Sequence, residues 1–234
     1  MTRLTLSFLG SPKIFLGEVE VNIGRAKALA LLAYLAVTQR PAARDSLLPL
    51  FWPDYDPKQA SAYLRQTLWT LNKALGKSWI SATPDTIELD FGNDLSVDVI
   101  EYQRHIRISE FEPGTAARQA EMLQAVNLYR GEFLAGFSLD DSPDFEQWQL
   151  LEAQSLHQSH AALLAKLVEC LTEQQNYSQA LEFAVRWLAL DTLNEAAHRH
   201  LMKLYAWSGL AGMAVRQFQE CTQLLNKELG VRPA

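Results

Sequence analysis

Gln66, Trp69 and Lys73 fall on one side of the stretch SAYLRQTLWTLNKALG (61–76), whose other side carries Leu64, Leu68, Leu71 and Leu75. The 4-3-4 leucine spacing marks a buried helical face. At about 100° per residue, Ala62, Gln66, Trp69 and Lys73 lie opposite it, with Lys58, Gln59 and Thr70 beside them and Arg65 on a flank. Cations at either end suit phosphates, Gln and Thr can bond base edges, and a ring or alkyl surface can meet thymine methyls. That is the chemistry of a helix entering the DNA major groove. No Asp or Glu occurs from Pro57 to Pro84, where the charged residues are Lys58, Arg65, Lys73 and Lys77. Carboxylates there would repel the DNA backbone. The same residues also suit a merely solvated face, and Trp69 equally suits packing against the preceding helix or the following hairpin.

The elements that must position this helix are legible around it. Leu4, Leu6 and Phe8 alternate with polar residues, KIFL and VEVNI follow as a hairpin through Gly17-Glu18, and 25–38 is helical and strongly apolar. Arg40-Pro41 ends that helix. Asp45 or Ser46 is the expected cap of a short helix through LLPLFW, which Pro53 closes. The leucine-faced helix stops at Gly76, and SWISATPDTIELDF reads as two short strands around Thr83-Pro84-Asp85-Thr86. Three strands, three helices and a hairpin make the layout of a winged helix-turn-helix. In the hairpin, Asp85, Glu88 and Asp90 bring negative charge, while Ser81, Thr83 and Thr86 suit a position near phosphate.

Charge divides the chain. Residues 1–84 hold ten Lys and Arg against five acids, so +5, and the net −6 leaves −11 for the remainder. Two parts with different partners follow: a winged helix over 1–97 and an all-helical part over 98–234, mainly α overall with a small β part. In the second part helices are expected over 99–108, 115–134, 143–173, 177–190, 194–208 and 211–229, with Ser142 as a cap before Pro143. Leu167 and Leu201, Leu171 and Tyr205, and Ala180 and Ala214 stand 34 residues apart, the tetratricopeptide period.

Other chemistry has little footing. There is no Gly-rich phosphate loop or Gly-x-Ser-x-Gly elbow, so no enzyme and no cofactor are expected. His157 with His160 and His198 with His200 lack a third ligand, so no metal is expected. Cys170 and Cys221 read as reduced core thiols of a cytoplasmic protein. The longest apolar run, ALALLAYLAV (28–37), is too short to span a bilayer, and no membrane partner is expected.

The segments ARDSLLPLFWPD and ASAYLRQTLWTLNKALG resemble the DNA-binding region of antibiotic regulatory protein-type activators, through Arg44, Asp45, Leu48, Trp52, Pro53, Asp54, Leu64, Arg65, Leu68, Leu71, Leu75 and Gly76. LYRGEFLAGF (128–137), FEQWQLLEAQSL (145–156), DTLNEAAHRHLMKLYAWSG (191–209) and ELGVRP (228–233) resemble the bacterial transcriptional activator domain of the same family. Trp69 and Asn72 stand where the family usually has Ser and Arg, and the wing lacks its common Gly-Tyr ending.

The resemblance implies an OmpR-type winged helix that binds double-stranded DNA at promoter direct repeats as a pair of protomers. It also implies a helical domain that dimerises, contacts RNA polymerase or receives a signal. Gln66, Trp69, Thr70 and Lys73 are then the base contacts. Lys58, Arg65 and Lys77 serve phosphates, with Arg25 or Lys27 at the start of the first helix and Thr83 on the wing. Members of the family often continue past ELGVRP, so the chain is expected to be a short member or a fragment. Two other readings stay open: a protein-interaction scaffold with a degenerate winged helix, and an effector pocket lined by Trp148, Trp187, Trp207 and Tyr205.

Overall fold

The computed structural model describes residues 3–76, 79–92, 94–112 and 114–233. Packing divides the chain into two compact units, Met1–Arg104 with Leu128–Leu156 and His105–Asn127 with His157–Ala234. The first unit begins with β1 (Leu4–Ser7), β2 (Lys13–Leu16), β3 (Val19–Glu20), α1 (Ala26–Thr38), β4 (Ala42–Ala43), α2 (Arg44–Phe51) and α3 (Pro57–Leu75). β5 (Ile80–Ala82), β6 (Thr86–Leu89) and β7 (Leu95–Val97) follow. The expected strands, helices and hairpin are all present.

Leu4 and Leu6 of β1 are fully buried, as alternation demands. β1 pairs antiparallel with β2, Leu6 opposite Ile14, and parallel with β7, Leu6 opposite Val97. A second sheet, in the order β4-β6-β5, forms the wing. β4 and β7 were not expected: two and three residues carry no readable period, and both exist through pairing with distant strands. α1 is apolar nearly all round and buries Ala28, Ala30, Leu31, Leu32, Ala33, Leu35 and Ala36, the pattern of a central helix. It ends on Gln39 in the left-handed region, φ 53°.

α4 (Asp98–Phe111), α5 (Thr115–Leu128), α6 (Pro143–Glu173), α7 (Tyr177–Leu190), α8 (Glu195–Trp207) and α9 (Ala211–Leu229) complete the chain. α5 stops at Leu128, short of the expected 134. The next residues return to the first unit's strand end instead. Leu134 N–H donates to the Phe8 carbonyl (2.8 Å), Gly10 N–H donates to the Glu132 carbonyl (2.9 Å), and Leu9 bridges Phe133. Gly131 lies so close that a Cβ there would stand 3.3 Å from Gly10 Cα. Asp98 anchors this junction. Its buried carboxylate accepts from Phe8 N–H (2.8 Å), Leu9 N–H (3.0 Å) and Arg130 Nη2 (2.6 Å). Burial raises the Asp98 carboxyl above its ordinary pKa, while the two amides and Arg130 pull it down.

An aromatic cluster packs the same unit: Trp148 lies 5.0 Å from Tyr34 and 5.3 Å from Phe145, and Phe51 lies 5.3 Å from Phe145. Ser142, expected as a cap, turns its hydroxyl to the Phe51 carbonyl (3.0 Å).

In the second unit α8 packs against both α7 and α9. Asn176 caps α7 and Asn194 caps α8, each side chain accepting from a first-turn amide. Of the positions spaced by 34, Leu167, Leu171, Ala180 and Leu201 are buried, while Tyr205 and Ala214 are half-buried. Cys170 and Cys221 are free and buried, and burial pushes both thiols up in pKa. Among the described residues no helix is long and apolar enough to cross a membrane.

Two stability predictions follow from these groups. Asp98→Ala strands two amides and Arg130, and is expected to cost about 3 kcal/mol in denaturant unfolding. His160 is buried, and burial, assisted by Arg186 and His157, lowers its pKa to about 4. Its folded pKa lies below its unfolded value, so its neutral form is stable above about pH 6.5 and stability falls as pH drops toward 4. The loss is on the order of 3 kcal/mol. His160→Leu is expected to flatten that part of the pH–stability curve.

Candidate nucleic-acid interface

α3 is positioned by its buried stripe. Ala60, Leu64, Thr67, Leu68, Leu71 and Leu75 face inward, and α3 packs on α1 and α2. Pro57 supplies the first helical position, and Asp56 caps the helix, its Oδ1 accepting from Lys58 N–H (2.9 Å) and Gln59 N–H (3.1 Å). The nearest carboxylate to the helix is thereby turned to backbone amides rather than to the outer face. The cap of α2 differs from expectation. α2 starts at Arg44 behind Ala43, which makes no side-chain cap, so neither Asp45 nor Ser46 holds that place.

The outward face carries Lys58, Gln59, Ala62, Arg65, Gln66, Trp69 and Lys73, all exposed. Trp69 does not tuck against a neighbouring element: it is 62% exposed. Lys73 Nζ lies 5.1 Å from its ring centroid, close enough for a cation–π contact. Thr70 is half-buried, and its hydroxyl donates to the Gln66 carbonyl (3.0 Å). Its proton is spent on the backbone, so it offers a lone pair and a methyl group rather than a free donor.

The phosphate candidates separate. Lys58, Arg65 and Arg25 are exposed, and Arg25 makes no side-chain cap at the start of α1. Lys27 does not stand with them. Its amine donates to the Phe51 carbonyl (2.5 Å), pairs with Asp141 (2.9 Å) and lies 5.5 Å from the Trp52 ring centroid. It is a clamp at the C-terminal end of α2, and Asp141 is lowered in pKa chiefly by its hydrogen bond to Lys27. Thr83 is exposed at the wing turn, but its hydroxyl accepts from Thr86 N–H (2.9 Å) and shapes that turn. Lys77 lies outside the described residues. Asp85 and Asp90 are exposed on the wing.

Two features escaped the sequence reading. Arg44 Nε donates to the Thr83 carbonyl (2.8 Å) and Arg44 N–H to the Asp85 carbonyl (2.9 Å), tying the start of α2 to the wing turn. Its signal was present, since Arg44 belongs to the ARDSLLPLFWPD block, but its role needs contacts across 39 residues. Tyr55 and Tyr63 form an exposed edge-to-face pair at the entry of α3, ring centroids 4.8 Å apart. Of the four aromatics expected to line an effector pocket, Tyr205 is half-buried on α8. Trp148 belongs to the first unit's aromatic cluster, Trp187 packs on His200, and Trp207 is exposed beside Tyr177.

Residues 97–234 match the model of the family described as bacterial transcriptional activator domain. The fold is similar to that of Mycobacterium tuberculosis EmbR in complex with a low affinity phosphopeptide, with a TM-score of 0.76 at 20% identity. That match covers 100% of this chain and 62% of the other. No curated protein sequence matches the chain. Arg44→Ala is expected to cost about 1 kcal/mol and to speed amide hydrogen exchange at Thr83 and Thr86 several-fold, leaving exchange in α1 unchanged.

Proposed function

Because the chain belongs to the bacterial transcriptional activator domain family, among regulators of the antibiotic regulatory protein type, we propose that it is a sequence-specific DNA-binding activator. In this reading residues 1–97 form the winged helix that binds promoter direct repeats as a pair of protomers. Residues 98–234 serve dimerisation, RNA polymerase contact or signal reception. The observation that carries it is the free face of α3, which is exposed, cationic at both ends and without a carboxylate. Gln66 and Lys73, with Trp69 between them, meet the bases. Lys58, Arg65 and Arg25 meet phosphates, joined by Lys77 on sequence grounds. Lys27 is withdrawn from that group by its bonds to Phe51 and Asp141.

Selection from a random duplex library followed by a salt titration tests the reading. A repeated motif is expected, with log affinity falling against log salt at a slope of about −4 per protomer, one unit for each neutralised phosphate. Arg65→Ala is expected to weaken every duplex about tenfold and to reduce that slope by about one. Gln66→Ala is expected to relax preference at one base pair by about 1–3 kcal/mol with little change of slope. No enrichment at low salt defeats the proposal and leaves a protein-interaction module.

A further inference from the structure

Trp69 departs from the surface around it. Its neighbours on the free face are cations, amides and the small Ala62, yet the indole stands 62% exposed near the middle of that face. Exposed apolar area is unfavourable in water, and α3 has a buried stripe of its own, so packing does not explain the ring. An indole has one N–H donor and no acceptor, which makes it a poor reader of base-edge hydrogen bonds. What it offers is a flat apolar surface. In the major groove the base pairs differ in donors and acceptors, and the apolar group among them is the thymine 5-methyl.

Two neighbours bear on the choice. Gln66 stands three residues before Trp69 on the same exposed face, and a Gln amide is suited to bond adenine N6 and N7 together. Lys73 lays its ammonium against the ring, 5.1 Å from the centroid, so the apolar surface is held beside a group that seeks phosphate.

We infer that Trp69 is a specificity-determining residue that reads thymine 5-methyl groups in an A·T-containing step, alongside Gln66 on adenine. The inference rests on the DNA-binding reading above and adds to it the class of base pair recognised.

Duplexes enriched from a random library are resynthesised with each thymine replaced singly by deoxyuridine, which deletes only the methyl. They are then titrated with the parent protein, Trp69→Phe and Trp69→Ala at one salt concentration. For the parent, uracil at one or two thymines in each half-site is expected to weaken binding about fourfold, the worth of one buried apolar carbon group. Trp69→Ala binds the thymine and uracil duplexes alike, with its salt slope unchanged, and Trp69→Phe keeps part of the difference. The ring is exposed, so both variants are expected to retain the parent's circular dichroism. A parent indifferent to uracil at every thymine, or Trp69→Ala that still discriminates, overturns the assignment while DNA recognition stands. A flat uracil scan with loss of paired binding in Trp69→Ala also overturns it, and places Trp69 between protomers. A library that enriches nothing removes the DNA-binding reading and this inference together.

Discussion

The carboxylate of Asp98 is the constraint on which the first unit depends. β1 ends at Ser7, and the amides of Phe8 and Leu9 beyond it are met by a side chain. Asp98 accepts both, across a separation of 90 residues, while Arg130 balances its charge. A buried carboxylate without such donors would be expelled or protonated. Here the donors come from two distant stretches, so the strand end, the start of α4 and the 129–137 segment are held by one group. Glycines stand at 10 and 131, where the two backbones touch.

A second clamp governs the helices beneath the wing. The last carbonyls of α2 carry the negative end of its dipole, and Phe51 O receives both Lys27 Nζ and Ser142 Oγ. α2 is thereby fixed against α1, and its aromatic end joins the cluster of Tyr34, Phe145 and Trp148. With α1 and α2 set, the leucine stripe of α3 has one place to bury itself, and everything opposite that stripe remains in solvent. Exposure of the candidate interface is thus a consequence of the core.

Electrostatics on that outer face follow from where the acids are used. Asp56 is consumed by the α3 cap, Asp98 by the strand end and Asp141 by Lys27. The exposed acids of the first unit's hairpin, Asp85 and Asp90, stand on the wing rather than on α3, and Asp90 accepts the Gly92 N–H (3.1 Å). The wing turn is shaped by its own hydroxyl bonds and by Arg44, which leaves Thr83 a structural part.

The sequence by itself determined the helices, the hairpin and the face α3 would present. A leucine every three or four residues and a proline in a first turn act within a few residues of themselves. The acid-free outer face with Gln66 and Lys73 was legible for that reason. Only the tertiary structure decided which lysine is spent: Lys27 and Lys58 look alike in sequence, but Lys27 lies beside a helix C-terminus and an aspartate supplied 114 residues later. Only it decided that Trp69 stays in solvent while Trp148 is packed, since an aromatic carries no mark of its partner. The short strands β4 and β7 and the return at 129–137 were likewise invisible, because they arise from pairing over long separations and leave no period in the chain.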